Sequence, residues 1–445
     1  MTMILDGTLT EADHKGHIPV AFDVPPGTTR LAITFTASPA RAKGALFDNL
    51  ISLSLFGPDG PRGARHNNDD MNIVIDAAHA TPGYVRGAPE PGRWTLWLDT
   101  FRILGPDPVR WQVRVATDAM PIPAPAVIAA NRPGSGGRRW YRGDLHAHSW
   151  HSDAAWDIPD LVDWARARRL DFVTLTDHNN VSGHDEMRAL GGPDLLTMGG
   201  VELTTHRGHA LSLGHSGWQE WRTGAVSGRT MPDIAAEVMA RGAAFVIAHP
   251  RSPGDPACTG CRWEFDDMMP GPACLVEIWN GGPWAEYNED ALALYRTWLA
   301  EGHRLFATAG SDHHGQNDAG KACGFNNVQA EAWTETAILD AVKTGRNFLS
   351  SGPRLLISAQ AADGDPVGMG GVTSRGARLT VEWTAAEPNL TLNIVGPKGR
   401  VREVAIEAGT SGRMAVDDLP ETFVMAEIRD QIGTLHAVTN PIFIE

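Results

Sequence analysis

Between residues 140 and 352 the chain alternates helix-like and strand-like segments, and this alternation limits its fold more than any other feature of its 445 residues. A helical pattern at 160–169 leads into an apolar stretch at 172–176, a second at 232–241 into 245–248, and a third at 289–301 into 305–309. Repeated helix-into-strand units predict a parallel sheet, open or closed into a barrel, because a crossover helix returns the chain to begin the next parallel strand. The flanks read differently. Up to about residue 118, short period-2 strands (20–24, 30–36, 51–56, 94–98 and 109–115) separated by Pro-Gly and Asp-Gly turns predict a β-sandwich. A Pro-rich then Gly-rich stretch follows as a linker. After residue 352, strands at 379–383, 390–395, 423–428 and 441–444 suit a small immunoglobulin-like sandwich. The expected organisation is thus a multidomain chain: an N-terminal β-sandwich (1–120), a linker (121–139), a central α/β domain (140–354) and a C-terminal immunoglobulin-like β-sandwich (355–445).

Composition narrows the partners. A formal net charge of −15 repels polyanions, so nucleic acid is not favoured and a small-molecule substrate stays open. No stretch approaches the roughly 20 apolar residues that span a bilayer, and the first residues lack a basic then apolar leader pattern. With only four cysteines, too few for a disulfide scaffold, the chain reads as cytoplasmic, with no membrane association.

Chemistry-bearing residues recur where the central strands end. His146 and His148 close the first strand, and alternate strand residues share a face about 7 Å apart, so two imidazoles there can converge on one ion. Asp153 arrives from the following loop. Asp177 and His178 follow the second strand, Glu202 ends a third, His249 follows 246–248, and Asp312 and His314 follow 306–309. In a parallel barrel these ends share the face on which such folds place their chemistry. His209 is the exception, because it opens a strand. Each motif alone is weak, but together they make a chance arrangement improbable. So many nitrogen and oxygen ligands, with no cysteine among them, exceed one coordination sphere and imply two or three divalent ions, with Zn, Mn or Fe suiting the mixed imidazole and carboxylate set.

Asp144-x-His146-x-His148 with Asp153, Asp177-His178-Asn179, Gly200-Val201-Glu202, His209, His249-Pro250 and Ser311-Asp312-x-His314 resemble, in order, type and spacing, the motifs of the polymerase and histidinol phosphatase (PHP) superfamily. The C-terminal portion, with Ser351-Gly352-Pro353 and Asn440-Pro441-Ile442, bears a looser resemblance to the branch that includes carbaryl hydrolases. The resemblance implies a distorted, TIM-like (β/α)7 barrel with a metal cluster at the strand C-termini. It implies that His146, His148, Glu202 and Asp312 hold a first metal, that Glu202 bridges to a second completed by His209 and His249, and that Asp153, His178 and His314 hold a third. Glu202, Asp312 and His249 are then the residues on which catalysis depends.

Two neighbouring metals can activate a water for attack on phosphorus or a carbonyl carbon without a serine or cysteine nucleophile. The expected activity is hydrolysis of a small phosphomonoester or phosphodiester. Carboxylester or carbamate hydrolysis is the alternative on the same fold, and a non-catalytic metal- or glycan-binding protein the alternative of another class. Asp144 and Asp177 are candidates to orient imidazoles or, equally, plain strand-end turns. Arg251 and Asn280 are candidate substrate contacts. His151, His206 and His313 read as surface side chains, one of them a candidate proton donor. Cys258 and Cys261 read as a loop motif forming a local disulfide rather than a zinc ribbon, which needs a second pair.

Overall fold

The computed structural model describes residues 1–445 except 68, 120–135, 319, 363, 386, 408 and 420. The expected linker, apart from 136–139, lies outside the described residues. Eight strands precede it: β1 (Thr2–Leu9), β2 (Gly16–Val24), β3 (Arg30–Ser38), β4 (Leu50–Gly57), β5 (Gly60–Arg65), β6 (Ile73–Asp76), β7 (Gly92–Arg102) and β8 (Val109–Asp118). They form two antiparallel sheets, ordered β1-β8-β3-β6 and β2-β7-β4-β5. Strand alternation turns Leu53, Leu55, Leu96 and Leu98 into a shared core with Leu31, Ile33 and Val113. The same alternation puts Ser52, Ser54 and Asp99 on the other face of the second sheet, and these are buried too. That polar face is therefore covered.

The central region contributes β9 (Arg139–Asp144), β10 (Phe172–Leu175), β11 (Leu196–Thr205), β12 (Gly208–Leu213), β13 (Ala244–Ile247), β14 (Leu275–Asn280), β15 (Phe306–Gly310), β16 (Phe325–Ala330) and β17 (Asn347–Ser350). Helices α1 (Ile158–Ala167), α2 (His184–Leu190), α3 (Met231–Ala240), α4 (Glu286–Ala300) and α5 (Glu335–Lys343) lie between them. Their starts are written locally. Asp157 accepts from the Asp160 N–H at 2.9 Å and Pro159 sits in the first turn of α1, while Thr230 and Asp233 form a capping box at α3.

The strand order is β15-β14-β13-β12-β11-β10-β9-β16-β17. Strands β9 to β11 and β13 to β15 are parallel, but β12 runs antiparallel to both its neighbours, as do β16 and β17 to theirs. The sheet is therefore mixed, unlike the parallel one expected. The cause is local: the two residues His206 and Arg207 join β11 to β12, leaving no length for a crossover helix.

Hydrogen bonds join the two ends of the run from β9 to β15. At the strand C-termini the Asp312 N–H donates to the His146 carbonyl at 2.8 Å and the His148 N–H to the His313 carbonyl at 3.1 Å. Elsewhere asparagine amides stand in for a strand. Asn326 accepts from the Ala309 N–H at 3.1 Å and donates to its carbonyl at 2.6 Å, and Asn440 does the same for Ala307 at 2.6 and 3.1 Å.

Beyond β17 the large sheet continues without a break through Leu435–Thr439, Phe423–Arg429, Leu390–Gly396 and Gly399–Ile406. A second sheet, built on Arg354–Gln360, Arg378–Ala385 and Thr410–Val416, packs against it through Leu355, Ile357, Leu379, Leu392 and Ile428. Among the described residues no helix is long and apolar enough to cross a membrane.

Asn440 is fully buried, so Asn440→Ala leaves the Ala307 N–H without its partner, while the Ala307 carbonyl keeps the Asn347 amide at 3.0 Å. The expected loss is about 2–4 kcal/mol, read as a lowered midpoint in chemical denaturation; an unchanged midpoint contradicts the seam.

Candidate metal centre

All nine ligands expected from the sequence converge at one end of the central strands. Glu202 is the hub. Its Oε1 lies 2.9 Å from His209 Nδ1 and 2.9 Å from His249 Nε2. Its Oε2 lies 2.9 Å from His178 Nδ1, 3.3 Å from His148 Nε2 and 3.4 Å from His146 Nε2. Asp312 Oδ1 sits 3.0 Å from His148 Nε2 and 3.5 Å from His146 Nε2. Asp153 Oδ1 sits 3.4 Å from His178 Nε2 and 3.3 Å from His314 Nε2. Four overlapping groups result: His146, His148 and Asp312; His146, Glu202 and His249; His178, Glu202 and His209; and His148, Asp153, His178 and His314. His148 thus joins the group around Asp153, and His209 and His249 face Glu202 from different groups.

The fold also accounts for His209. In an antiparallel β12 the strand start lies at the edge where the parallel strands end, and Thr204 of β11 pairs with His209 directly. Two other members of the cluster are held in uncommon backbone conformations, His249 at φ 26° and Asp312 at φ 48°. Non-glycine residues are rare there, and such strain collects at functional sites. Each is secured by its own N–H, that of His249 to Glu277 Oε2 at 3.1 Å and that of Asp312 to the His146 carbonyl.

Glu277 is the residue that sequence reasoning missed. It is fully buried on β14, and its Oε1 lies 3.0 Å from His146 Nδ1, fixing the ring so that Nε2 faces the cluster. The signal was present: a lone carboxylate inside an otherwise apolar strand must have a partner. The space behind this pair is kept open by Gly310, where a Cβ would collide with Glu277 Oε1 and His146 Cβ. His249 Nδ1 meets the carbonyl of Cys261 at 3.1 Å, and His314 Nδ1 that of Asp312 at 2.8 Å. Cys258 and Cys261 pair with each other.

Other expectations need correcting. Asp144 and Asp177 orient no imidazole. Asp144 accepts from the N–H groups of His146 and Ser311 and the Ser311 hydroxyl, while Asp177 accepts from Ser149 and Ser152. Both hold the loops that carry ligands, and burial pushes each carboxyl up to about 6 despite those hydrogen bonds. Asn280 donates to Glu277 at 3.0 Å and to Asp312 at 3.2 Å, so both its amide N–H groups are turned to the cluster. Arg251 is half-buried and has no ion pair among the described residues. His151, His206 and His313 are buried, not on the surface: His151 bonds Ser182, His206 stacks on His17, and His313 lies between Trp156 and Trp164.

The donor set fits divalent cations. Ligand bonds of about 2.0–2.2 Å place neighbouring donor atoms roughly 3.0–3.5 Å apart in tetrahedral or octahedral geometry, the spacing seen around Glu202 and Asp312. Glu202 Oε2 and Asp153 Oδ1 are buried without a hydrogen-bond partner, and orphaned buried carboxylate oxygens need a compensating charge. Without an ion, protons would supply part of it. Burial lowers the affinity of His146, His178, His249 and His314 for a proton, but the carboxylates beside them outweigh it and raise all four, His314 to about 10. His148 goes the other way, to about 3, through burial and the neighbouring His314 and His178.

No family model and no curated protein matches the chain. Among solved structures it resembles a two-domain protein from Bacteroides vulgatus containing a predicted PHP-like metal-dependent phosphoesterase, at 16% identity over 71% of this chain and 97% of that one, with a TM-score of 0.40. It also resembles a Bifidobacterium adolescentis protein assigned as a metal-dependent phosphoesterase, at 19% identity over 41% of this chain and 90% of that one, TM-score 0.32. A third is an amidohydrolase from Chromobacterium violaceum, at 18% identity over 40% and 89%, TM-score 0.28. The likeness to PHP-like metal-dependent enzymes is loose, and the chemistry is carried by the cluster itself.

Because a ligating imidazole must give up its proton, metal loading near pH 7 is expected to release protons from the four raised histidines, and affinity is expected to climb with pH. Calorimetric titration in buffers of different ionisation heat reads the release; none would contradict the protonated cluster. Glu277→Gln is expected to weaken metal binding by roughly 10- to 100-fold while the protein stays folded, as read by metal content after dialysis.

Proposed function

We propose that the chain is a metal-dependent hydrolase, holding two or three divalent ions and acting on a small phosphate ester. The single observation that supports this most is the placement of Glu202, whose two oxygens face different sets of imidazoles, as a carboxylate shared between ions would. Closed structural sites use about four ligands around one ion, whereas nine side chains gather here. Divalent ions bound there would supply Lewis acidity and lower the pKa of a water towards neutrality.

The remaining work falls to the chain's own residues. Glu277, the Cys261 carbonyl and the Asp312 carbonyl fix the rings of His146, His249 and His314, so the donors are aligned before any ion arrives. His146, His148, His178, His209, His249 and Glu202 are at most 5% exposed, while the side chains of Asp312 and His314 are 23% and 33% exposed. Substrate would therefore reach the cluster beside Asp312 and His314. Arg251, two residues beyond His249 and without an ion pair among the described residues, supports an anionic substrate over a neutral one.

The test is a parallel assay of protein purified with Mn, Zn or Fe on chromogenic phosphomonoester, phosphodiester, carboxylester and aryl carbamate substrates. Phosphoester turnover is expected. Turnover of only the carbonyl substrates would move the substrate class, and none with metal bound would leave a binding protein. Glu202→Ala is expected to lower turnover on the order of 10³-fold, equivalent to several kcal/mol of transition-state stabilisation; retained activity contradicts the shared-ligand role.

A further inference from the structure

Among the described residues none of the groups able to hold an ion draws on the first 118 positions, yet the sheet β2-β7-β4-β5 and the turns beside it are fastened to three of the loops that carry those groups. The Gly83 N–H donates to Ser182 Oγ at 2.9 Å, just beyond His178. Arg65 reaches the Trp150 carbonyl at 3.4 Å, between His148 and Asp153. Arg102 donates to the Pro256 carbonyl at 2.8 Å, and Lys15 pairs with Asp255, both beyond His249. The buried polar face of the sheet therefore lies over the cluster. From it one side chain reaches the ligands. His66, directly after β5, has its ring centroid 4.8 Å from that of His178 and 4.5 Å from that of Phe101.

His66 is 7% exposed, and its Nδ1 is held at 2.8 Å by the Ser52 hydroxyl on β4. With Nδ1 anchored to the sheet, Nε2 lies on the opposite edge of the imidazole. That nitrogen has no hydrogen-bond partner among the described residues, and unlike Nε2 of His206, His209 and His313 it is not sealed from solvent. His66 belongs to none of the groups close enough to share an ion. An anchored imidazole beside a ligand ring, with one open nitrogen and no ion of its own, is placed to meet whatever binds at the metals.

We propose that His66 is a substrate-contacting residue, donating from or accepting at Nε2 to an oxygen of the bound ester, and that the N-terminal sheet thereby takes part in choosing the substrate. Phe101, packed on His66 and 4.7 Å from His206 in ring centroids, forms the apolar side of the same wall. The proposal rests on the hydrolase reading of the cluster. A lost hydrogen bond to a charged group corresponds to a drop of roughly ten- to hundredfold.

The experiment compares full-length wild type, His66→Ala, His66→Gln and Ser52→Ala, each loaded with Mn or Zn, by metal content, by kcat and KM on the best chromogenic ester, and by calorimetric affinity for inorganic phosphate. Expected are unchanged metal content in all four, a ten- to hundredfold fall in kcat/KM and weaker phosphate binding in His66→Ala, partial rescue in His66→Gln, and a smaller loss in Ser52→Ala. Unchanged kcat/KM and phosphate affinity in His66→Ala would overturn the proposal. So would loss of metal, which would make His66 a mere support for His178. A wild type that binds metal and turns nothing over would defeat the hydrolase reading instead; phosphate affinity then decides His66, weakened binding supporting the contact and unchanged binding overturning it.

Discussion

Glu202 sits at 1% exposure with five imidazoles within 3.4 Å of its two oxygens. A carboxylate removed from water carries a desolvation penalty of several kcal/mol that only nearby positive charge repays. Everything around it is arranged to deliver that charge at fixed positions. Strands β9, β11, β12 and β13 bring His146, Glu202, His209 and His249 to one edge. Glu277 stands behind His146, holds the His249 backbone, and is tied through Asn280 to Asp312. One buried carboxylate thus stands where ions would bind, and a second sets the geometry of the residues around it.

This dependence explains two irregularities of the fold. The β11–β12 hairpin breaks the parallel run, yet it lets a residue at a strand start face a residue near a strand end, so His209 and Glu202 meet across a single ladder. The seam at β15 lacks a regular partner strand along its length, and Asn326 and Asn440 supply amide groups in place of peptide groups. Both devices satisfy backbone polar groups locally while leaving the ligand-bearing edge intact.

Much of this could be read from the residues, because ligand chemistry is visible where a strand ends. His146 and His148 share a face by period-2 alternation, and 245–248 and 306–309 were recognisable strands within one residue of the observed ones. What stayed hidden depends on tertiary contact. Nothing near His66 in the chain says that a sheet edge will be carried onto His178, more than a hundred residues away. The role of Glu277 is set by His146 and by the absence of a side chain at Gly310, neither of which is near it in the chain. Asp144 and Asp177 were open between two readings for a related reason: beside histidines in sequence, their carboxylates turn to serines and backbone N–H groups once the loops fold.

The most direct measurement of the central claim is anomalous diffraction from crystals grown with Mn or Zn. The account predicts two peaks about 3.5–4 Å apart, one touching each oxygen of Glu202, with any third beside Asp153. A single ion, or ions that leave Glu202 outside their coordination shells, would contradict it.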